Sequence, residues 1–279
     1  MAKQYTASQV VERLKKERAL GRYIYTVGAG TGISAKFVER GGADLIATYP
    51  IAKFRMGGLS SMAAYLPICD SNAMTLEMGE REILPIIQEV PVCAGLLGVD
   101  PTRDMGRLLD QVKAVGFSGI LNCPTIDLID GSLRASFEQT GLPFQKEVDM
   151  MAMAVKKDLF THAFCATLEH AMQMADVGVP LLVPHMGNSV GGTIGNKTAI
   201  SLDEACERIN KVCEAVKAVH PDVLVICHGG PIANHPEFQY VADNCPSCDG
   251  YMGGSSGERF PVEISITEAT EKFKAIQRG

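Results

Sequence analysis

The chain has 279 residues, 46% of them apolar and 21% charged, with a formal net charge of −6. Such a composition is globular, not disordered, and the length suffices for a large core; barrels commonly reach about 250 residues as one unit. The acidic balance excludes the basic stripe that phosphate-backbone binding requires, so no nucleic-acid partner is expected.

The N-terminal stretch, MAKQYTASQVVERLKKERALG, lacks an apolar leader segment. No segment reaches about 18 uninterrupted apolar residues. Neither a signal peptide nor a membrane span is therefore expected, and the location predicted is cytoplasmic. The nine cysteines are an odd number and lie mostly in apolar runs, such as those of Cys93, Cys165 and Cys227. They read as reduced core residues. Cys245 and Cys248 form a CPSC pair with no second pair at zinc-site spacing, and read as a loop before a strand.

In chain order, residues 6–20 read first as a helix that plugs the bottom of a barrel. Eight apolar runs follow, at 22–30, 43–49, 91–98, 119–125, 159–166, 180–187, 223–230 and 248–256. Each is apolar at nearly every position and ends in Gly, Pro or a polar cluster, as strands buried on both faces do. Helical patterns lie between them. Residues 102–115 carry Leu108, Leu109, Val112 and Val115 on one stripe. Residues 201–219 open on a capping box formed by Ser201 and Glu204. Eight strands alternating with helices predict an α/β fold, a single (β/α)8 TIM barrel; a doubly wound open sheet is the alternative. One domain is expected over 1–279, with the helical segment at 1–21 and the barrel at 22–279. Two segments exceed the minimal plan. The apolar stretch 50–72 reads as a lid or an oligomer contact, which makes a homo-oligomer the expected assembly. Residues 130–158 hold extra helix.

In a barrel the chemistry sits at the C-terminal ends of the strands. His185 and His228 end runs six and seven in matching contexts, VPHMG and ICHGG, and are the candidate acid/base pair. Gly28, Gly30 and Thr31 form a strand-to-helix turn that either contacts an anion or serves turn geometry. Gly229, Gly230, Gly253, Gly254, Ser255 and Ser256 follow runs seven and eight, where barrels often hold a phosphate. Their alternative role is close packing at the rim. Arg55 is a candidate carboxylate or phosphate clamp. Glu258 is a third candidate catalytic residue; Glu258 and Arg259 either pair as caps of the last loop or contact substrate. Two histidines with Asp100 or Glu258 could bind a divalent metal, Mg or Zn, though no HxH or HxxxH spacing supports it. Cys123 and Cys165 read as ordinary buried cysteines. Glu147 and Asp149 read as a helix start, and Met150, Met151, Met153, Met172 and Met174 as packing.

The strings GAGTGISAKFVERGGADLI, FRMGG, AGLLGVDP, GFSGILNCPTIDLIDGSLRASFEQTG, EVDMMAMA, PHMGNSVGGTIG, CHGGPI and GGSSGERFPVE together resemble the phosphoenolpyruvate hydrolase-like family of TIM barrels. The resemblance runs from about residue 8 to 276 and extends to the C-terminal domain of a plant antiviral resistance protein. It implies a barrel distantly related to phosphoenolpyruvate mutase and phosphonopyruvate hydrolase, and a small anionic oxoacid as substrate. Asp100 is the possible counterpart of those enzymes' metal-holding acids; their Asp-rich cluster and flexible-loop Lys/Cys motif are not found. The expectation is a hydrolase or lyase that acts through an enolate-like transition state, by C–P or P–O hydrolysis or by C–C cleavage of a β-keto acid. The alternative is a non-catalytic ligand-binding or inhibitory protein-interaction module.

Overall fold

The structure, a computed structural model, describes residues 2–278. Eight parallel strands close in chain order: β1 (Ile24–Gly28), β2 (Leu45–Thr48), β3 (Val92–Gly95), β4 (Gly119–Leu121), β5 (Phe160–Cys165), β6 (Leu181–Pro184), β7 (Leu224–His228) and β8 (Gly250–Gly253). The ring closes where β1 pairs with β8, Ile24 opposite Gly250 and Val27 opposite Gly253. All eight predicted runs contain a strand. Nearly every strand residue is buried because inner faces meet across the barrel and outer faces lie under helices. The predicted runs overshoot at their C-terminal ends, where the chain turns away from the sheet into the loops of the site.

The helices are α1 (Ala7–Ala19), α2 (Gly32–Arg40), α3 (Pro50–Met56), α4 (Ser71–Met78), α5 (Met105–Val115), α6 (Gly131–Gln139), α7 (Gln145–Lys156), α8 (Leu168–Asp176), α9 (Leu202–Val219), α10 (His235–Asn244) and α11 (Arg259–Lys274). Helix α1 is the expected plug. Thr6 and Gln9 close a reciprocal capping box at its start. Its Val10 and Leu14 join the barrel-interior cluster of Ile24, Leu45, Phe160, Leu181 and Leu224. A second cluster fills the layer between strands and helices, with Ile46, Ile120 and Val225 facing Leu108, Val112 and Ile209. Helix α5 starts later than expected. Thr102 is drawn back onto the Asp100 carboxylate, and Asp104 takes the cap by accepting from Arg107 N–H. Ser201 caps α9, accepting from Glu204 N–H at 3.1 Å, but the expected box does not close, because the Glu204 carboxylate pairs with Arg208.

Segment 50–72 folds as α3, a 3-10 turn at Ser61–Tyr65 and the start of α4. Segment 130–158 supplies α6 and α7. All nine cysteines are free; eight are buried and Cys69 is partly exposed. Among the described residues no helix is long and apolar enough to cross a membrane. Helix α11 leaves the barrel wall, and of its residues Arg259 is buried while Ile264, Ile266 and Phe273 stand exposed.

Candidate active site

Strands β6 and β7 bring His185 and His228 to the barrel mouth with ring centroids 4.8 Å apart, nearly perpendicular, and Phe164 lies 5.0 Å from each. Their backbone contacts give the two rings opposite tautomers. Gly187 N–H donates to His185 Nδ1 at 2.9 Å, which places the ring proton of His185 on Nε2. His228 Nδ1–H donates to the Met252 carbonyl at 2.7 Å, which leaves a lone pair on its Nε2. Burial pushes His228 down to about 4, helped by the Arg55 charge and opposed by the Met252 bond. Burial and then His228 hold His185 well below the ordinary histidine value. At neutral pH the pair is uncharged and presents one N–H donor and one acceptor to the same space.

Arg55, from α3, lies beside them and is almost wholly buried. Its Nε and Nη2 donate to Glu258 Oε1 at 3.0 and 2.5 Å, and Nη2 also donates to the Gly28 carbonyl. The other oxygen of Glu258 accepts from Gly30 N–H and Ser34 Oγ, each at 2.8 Å. Glu258 is therefore spent on holding Arg55 against the β1 turn and does not line the mouth. Its partner is Arg55, not Arg259; Arg259 pairs with Glu263. The turn glycines serve close packing. A Cβ on Gly28 would fall 1.9 Å from the Tyr49 hydroxyl, and one on Gly30 would fall 2.0 Å from the Ala52 carbonyl. Thr31 caps α2.

The last two loops divide in the same way. Gly229 and Gly230 take positive φ and press against the Gly187 and Met186 carbonyls, with Gly230 N–H donating to Gly187. Gly253 abuts the Tyr25 hydroxyl, and Ser256 Oγ bonds to Tyr251. Gly254 and Ser255 do line the mouth. Their N–H groups have no partner among the described residues. Two loops roof this small cavity: Ser60 to Tyr65 after β2, and Asn188 to Asn196 after β6. They touch where Asn188 Nδ2 donates to the Met62 sulfur. Tyr49, Tyr65, Asn188, Ser189 and Asn196 are lining residues that were not singled out from the sequence. Tyr49 had a signal as the last residue of the second run, and Asn188 and Ser189 lie within the string PHMGNSVGGTIG.

On the strand-four side Cys123 and Thr125 line the mouth. Behind them the fully buried Glu147 of α7 accepts from Asn122 Nδ2, Thr125 Oγ1 and Ile126 N–H at 2.7 to 2.8 Å. Burial lifts it to about 7 against the pull of those bonds. It is more than the helix-start acid expected from its place in the first turn. Asp100 lies away from the mouth. Thr102, Arg103 and Asn72 donate to it, and these bonds hold it at about 2 against the cost of burial. Among the described residues no carboxylate lines the mouth, while two arginines do. Mg2+ requires oxygen ligands, chiefly carboxylates, and zinc a third ligand beyond two imidazoles. Among the described residues no His, Cys, Asp and Glu cluster of three has metal-binding geometry. The residues present do not fit a resident divalent cation.

The sequence profile of the phosphoenolpyruvate hydrolase-like family matches residues 9–276. The ToMV resistance protein Tm-1(GCR237) of Solanum lycopersicum is 43% identical over 269 residues; the match covers 96% of this chain but 35% of that protein. Among solved structures, a phosphoenolpyruvate phosphomutase from Streptomyces platensis subsp. rosaceus superposes with a TM-score of 0.64 at 13% identity, covering 96% of this chain and 87% of the other. A phosphonopyruvate hydrolase in complex with oxalate and Mg2+ superposes with a TM-score of 0.59 at 15% identity, covering 95% and 87%. At such identities the likeness to the solved structures is one of fold.

Proposed function

The chain belongs to the phosphoenolpyruvate hydrolase-like family, and on that premise we propose that it is an enzyme that cleaves a small anionic oxoacid at a bond next to its carbonyl. The observation that carries this reading is the His185–His228 pair, two neutral rings of opposite tautomer facing one roofed mouth beside Arg55. Arg55 and the Gly254 and Ser255 amides hold the anionic group. His228 Nε2 takes a proton from the attacking water. The bond to the departing fragment breaks and leaves an enolate, whose oxygen accepts from His185 Nε2–H. Neutral imidazole suits this task because it donates without giving up its proton. His228 then returns its proton to the enolate carbon. Hydrolysis of a C–P or P–O bond and C–C cleavage of a β-keto acid share these steps. Glu258 is a positioning residue for Arg55.

Turnover of a panel of 2-oxo and 3-oxo acids, with phosphoenolpyruvate and phosphonopyruvate included, tests the proposal. At least one member is cleaved, and His228→Ala lowers kcat on it by about 10²–10⁴-fold. Equal rates for the two proteins would remove His228 from the mechanism. A second reading, a ligand-binding or inhibitory interaction module, draws on the identity to the tomato resistance protein. Thermal stabilisation by a bound acid without any turnover favours that reading instead.

A further inference from the structure

Arg259, the first residue of α11, is nearly as buried as Arg55 and lines the same mouth. Both arginines also line a shallow cleft on the outer side, with Thr193 and Glu263. Both side chains therefore reach the wall between mouth and cleft. Neither has spent its donors. Arg55 gives Nε and Nη2 to Glu258 and the Gly28 carbonyl and has the Tyr49 hydroxyl as a further neighbour; its Nη1 lies toward Gly254, 3.4 Å from where a Cβ on that glycine would lie. Arg259 gives Nη1 to Glu263 and Nη2 to the Gly191 carbonyl, and its buried Nε has no partner among the described residues. The two glutamates that balance these charges, Glu258 and Glu263, do not line the mouth. Its face is left with two cations, unspent N–H groups and two free amides. Buried guanidinium groups with donors left over favour an anion that takes them up, and their planar forks suit an oxyanion with several oxygens.

We propose that Arg259 is a second anion-binding residue of the mouth, sharing with Arg55 one doubly charged oxyanion group, a phosphate or phosphonate, seated against the Gly254 and Ser255 amides. The proposal rests on the reading of the mouth as the substrate site. The competing role for Arg259 is purely structural. Through Gly191 and Glu263, which also accepts from Thr193, it latches the β6 loop over the mouth.

Calorimetric titration of orthophosphate and of acetate into the full chain, under mildly alkaline conditions, separates the two roles. Phosphate binds the wild type at least about tenfold more tightly than acetate. Arg259→Gln weakens phosphate by about tenfold and acetate little, and Arg259→Lys, which keeps the charge but loses the fork, falls between. Glu263→Gln, which breaks the latch and frees Arg259, binds phosphate at least as tightly as the wild type. Phosphate affinity unchanged in both Arg259 variants overturns the proposal. So does an equal loss in Glu263→Gln and Arg259→Gln, which would mark Arg259 as a latch. Wild type that binds neither anion overturns the reading of the mouth itself, a result distinct from failure of Arg259 alone. Thermal melts of each variant confirm that it is folded.

Discussion

Glu258 shows how much of the site rests on one side chain that touches no substrate. It accepts two bonds from Arg55 and one each from Gly30 and Ser34, and it is fully buried. Removing one partner of such a pair leaves a buried charge without compensation, at a cost of about 3–5 kcal/mol. Glu258→Gln is expected to lower the unfolding free energy by that order, read from the urea midpoint; an unchanged midpoint would contradict the role given to the pair. None of this was legible in the sequence. Arg55 and Glu258 are 203 positions apart and share no periodicity, so Glu258 looked like a neighbour of Arg259 or a catalytic acid. His185 and His228 were legible because each follows an apolar run and has a glycine within two residues after it, which places it at a strand end facing the mouth. Glu147 was read correctly as a helix-start acid but only in part: its place in the first turn of α7 suggests a dipole contact, while its hydrogen-bond donors come from beyond the far end of β4.

At the scale of elements, the strands were readable because a parallel strand covered on both faces leaves a continuous apolar run. Their ends were not, because the loops beyond β2 and β4 stay apolar while they line or roof the mouth. Helix α11 follows the opposite logic. It continues the barrel in sequence, yet Ile264, Ile266 and Phe273 are 57%, 63% and 77% exposed. Covering side chains of this size is worth about 1.5–3 kcal/mol each, so a contact between copies over this helix is the proposal that follows. Light scattering of the wild type is expected to give a multiple of 29.9 kDa, and the double variant Ile266→Lys, Phe273→Lys a shift towards one chain. A monomeric wild type at micromolar concentration would contradict the expected homo-oligomer. Leu59, Leu66 and Ile68 of the β2 loop are exposed as well, so the lid and the oligomer contact expected for that segment are compatible.

Over the whole molecule, the barrel couples its stability to pH through its axis. His162 lies on β5 between Phe160 and Phe164; among the described residues neither ring nitrogen has a hydrogen bond of normal geometry, and burial lowers it to about 3 against the pull of the nearby Ile120 backbone. The unfolded chain binds this proton from about pH 6.5 downward, the folded chain only near 3. Stability present above 6.5 is therefore lost as pH falls towards 3, with a slope approaching about 1.36 kcal/mol per pH unit. His185 and His228 act in the same direction, while Glu147, raised to about 7, acts oppositely between its unfolded value and 7. His162→Leu isolates one of these groups. Its melting temperature should fall less steeply than that of the wild type between pH 6.5 and 4.5, and parallel curves would contradict the burial of a neutral His162. The barrel and its plug were legible as a pattern of alternating elements; a polar group on the axis was not, because His162 sits inside an otherwise apolar run and looks like its neighbours. The same burial that neutralises His162 neutralises the proposed catalytic pair above it, and the proposed chemistry depends on that pair. Long-range proton–nitrogen correlation spectra of the histidine rings at neutral pH test it most directly. The account predicts two neutral rings of opposite tautomer, His185 protonated on Nε2 and His228 on Nδ1. A charged ring in the free protein, or the same tautomer at both positions, would contradict it.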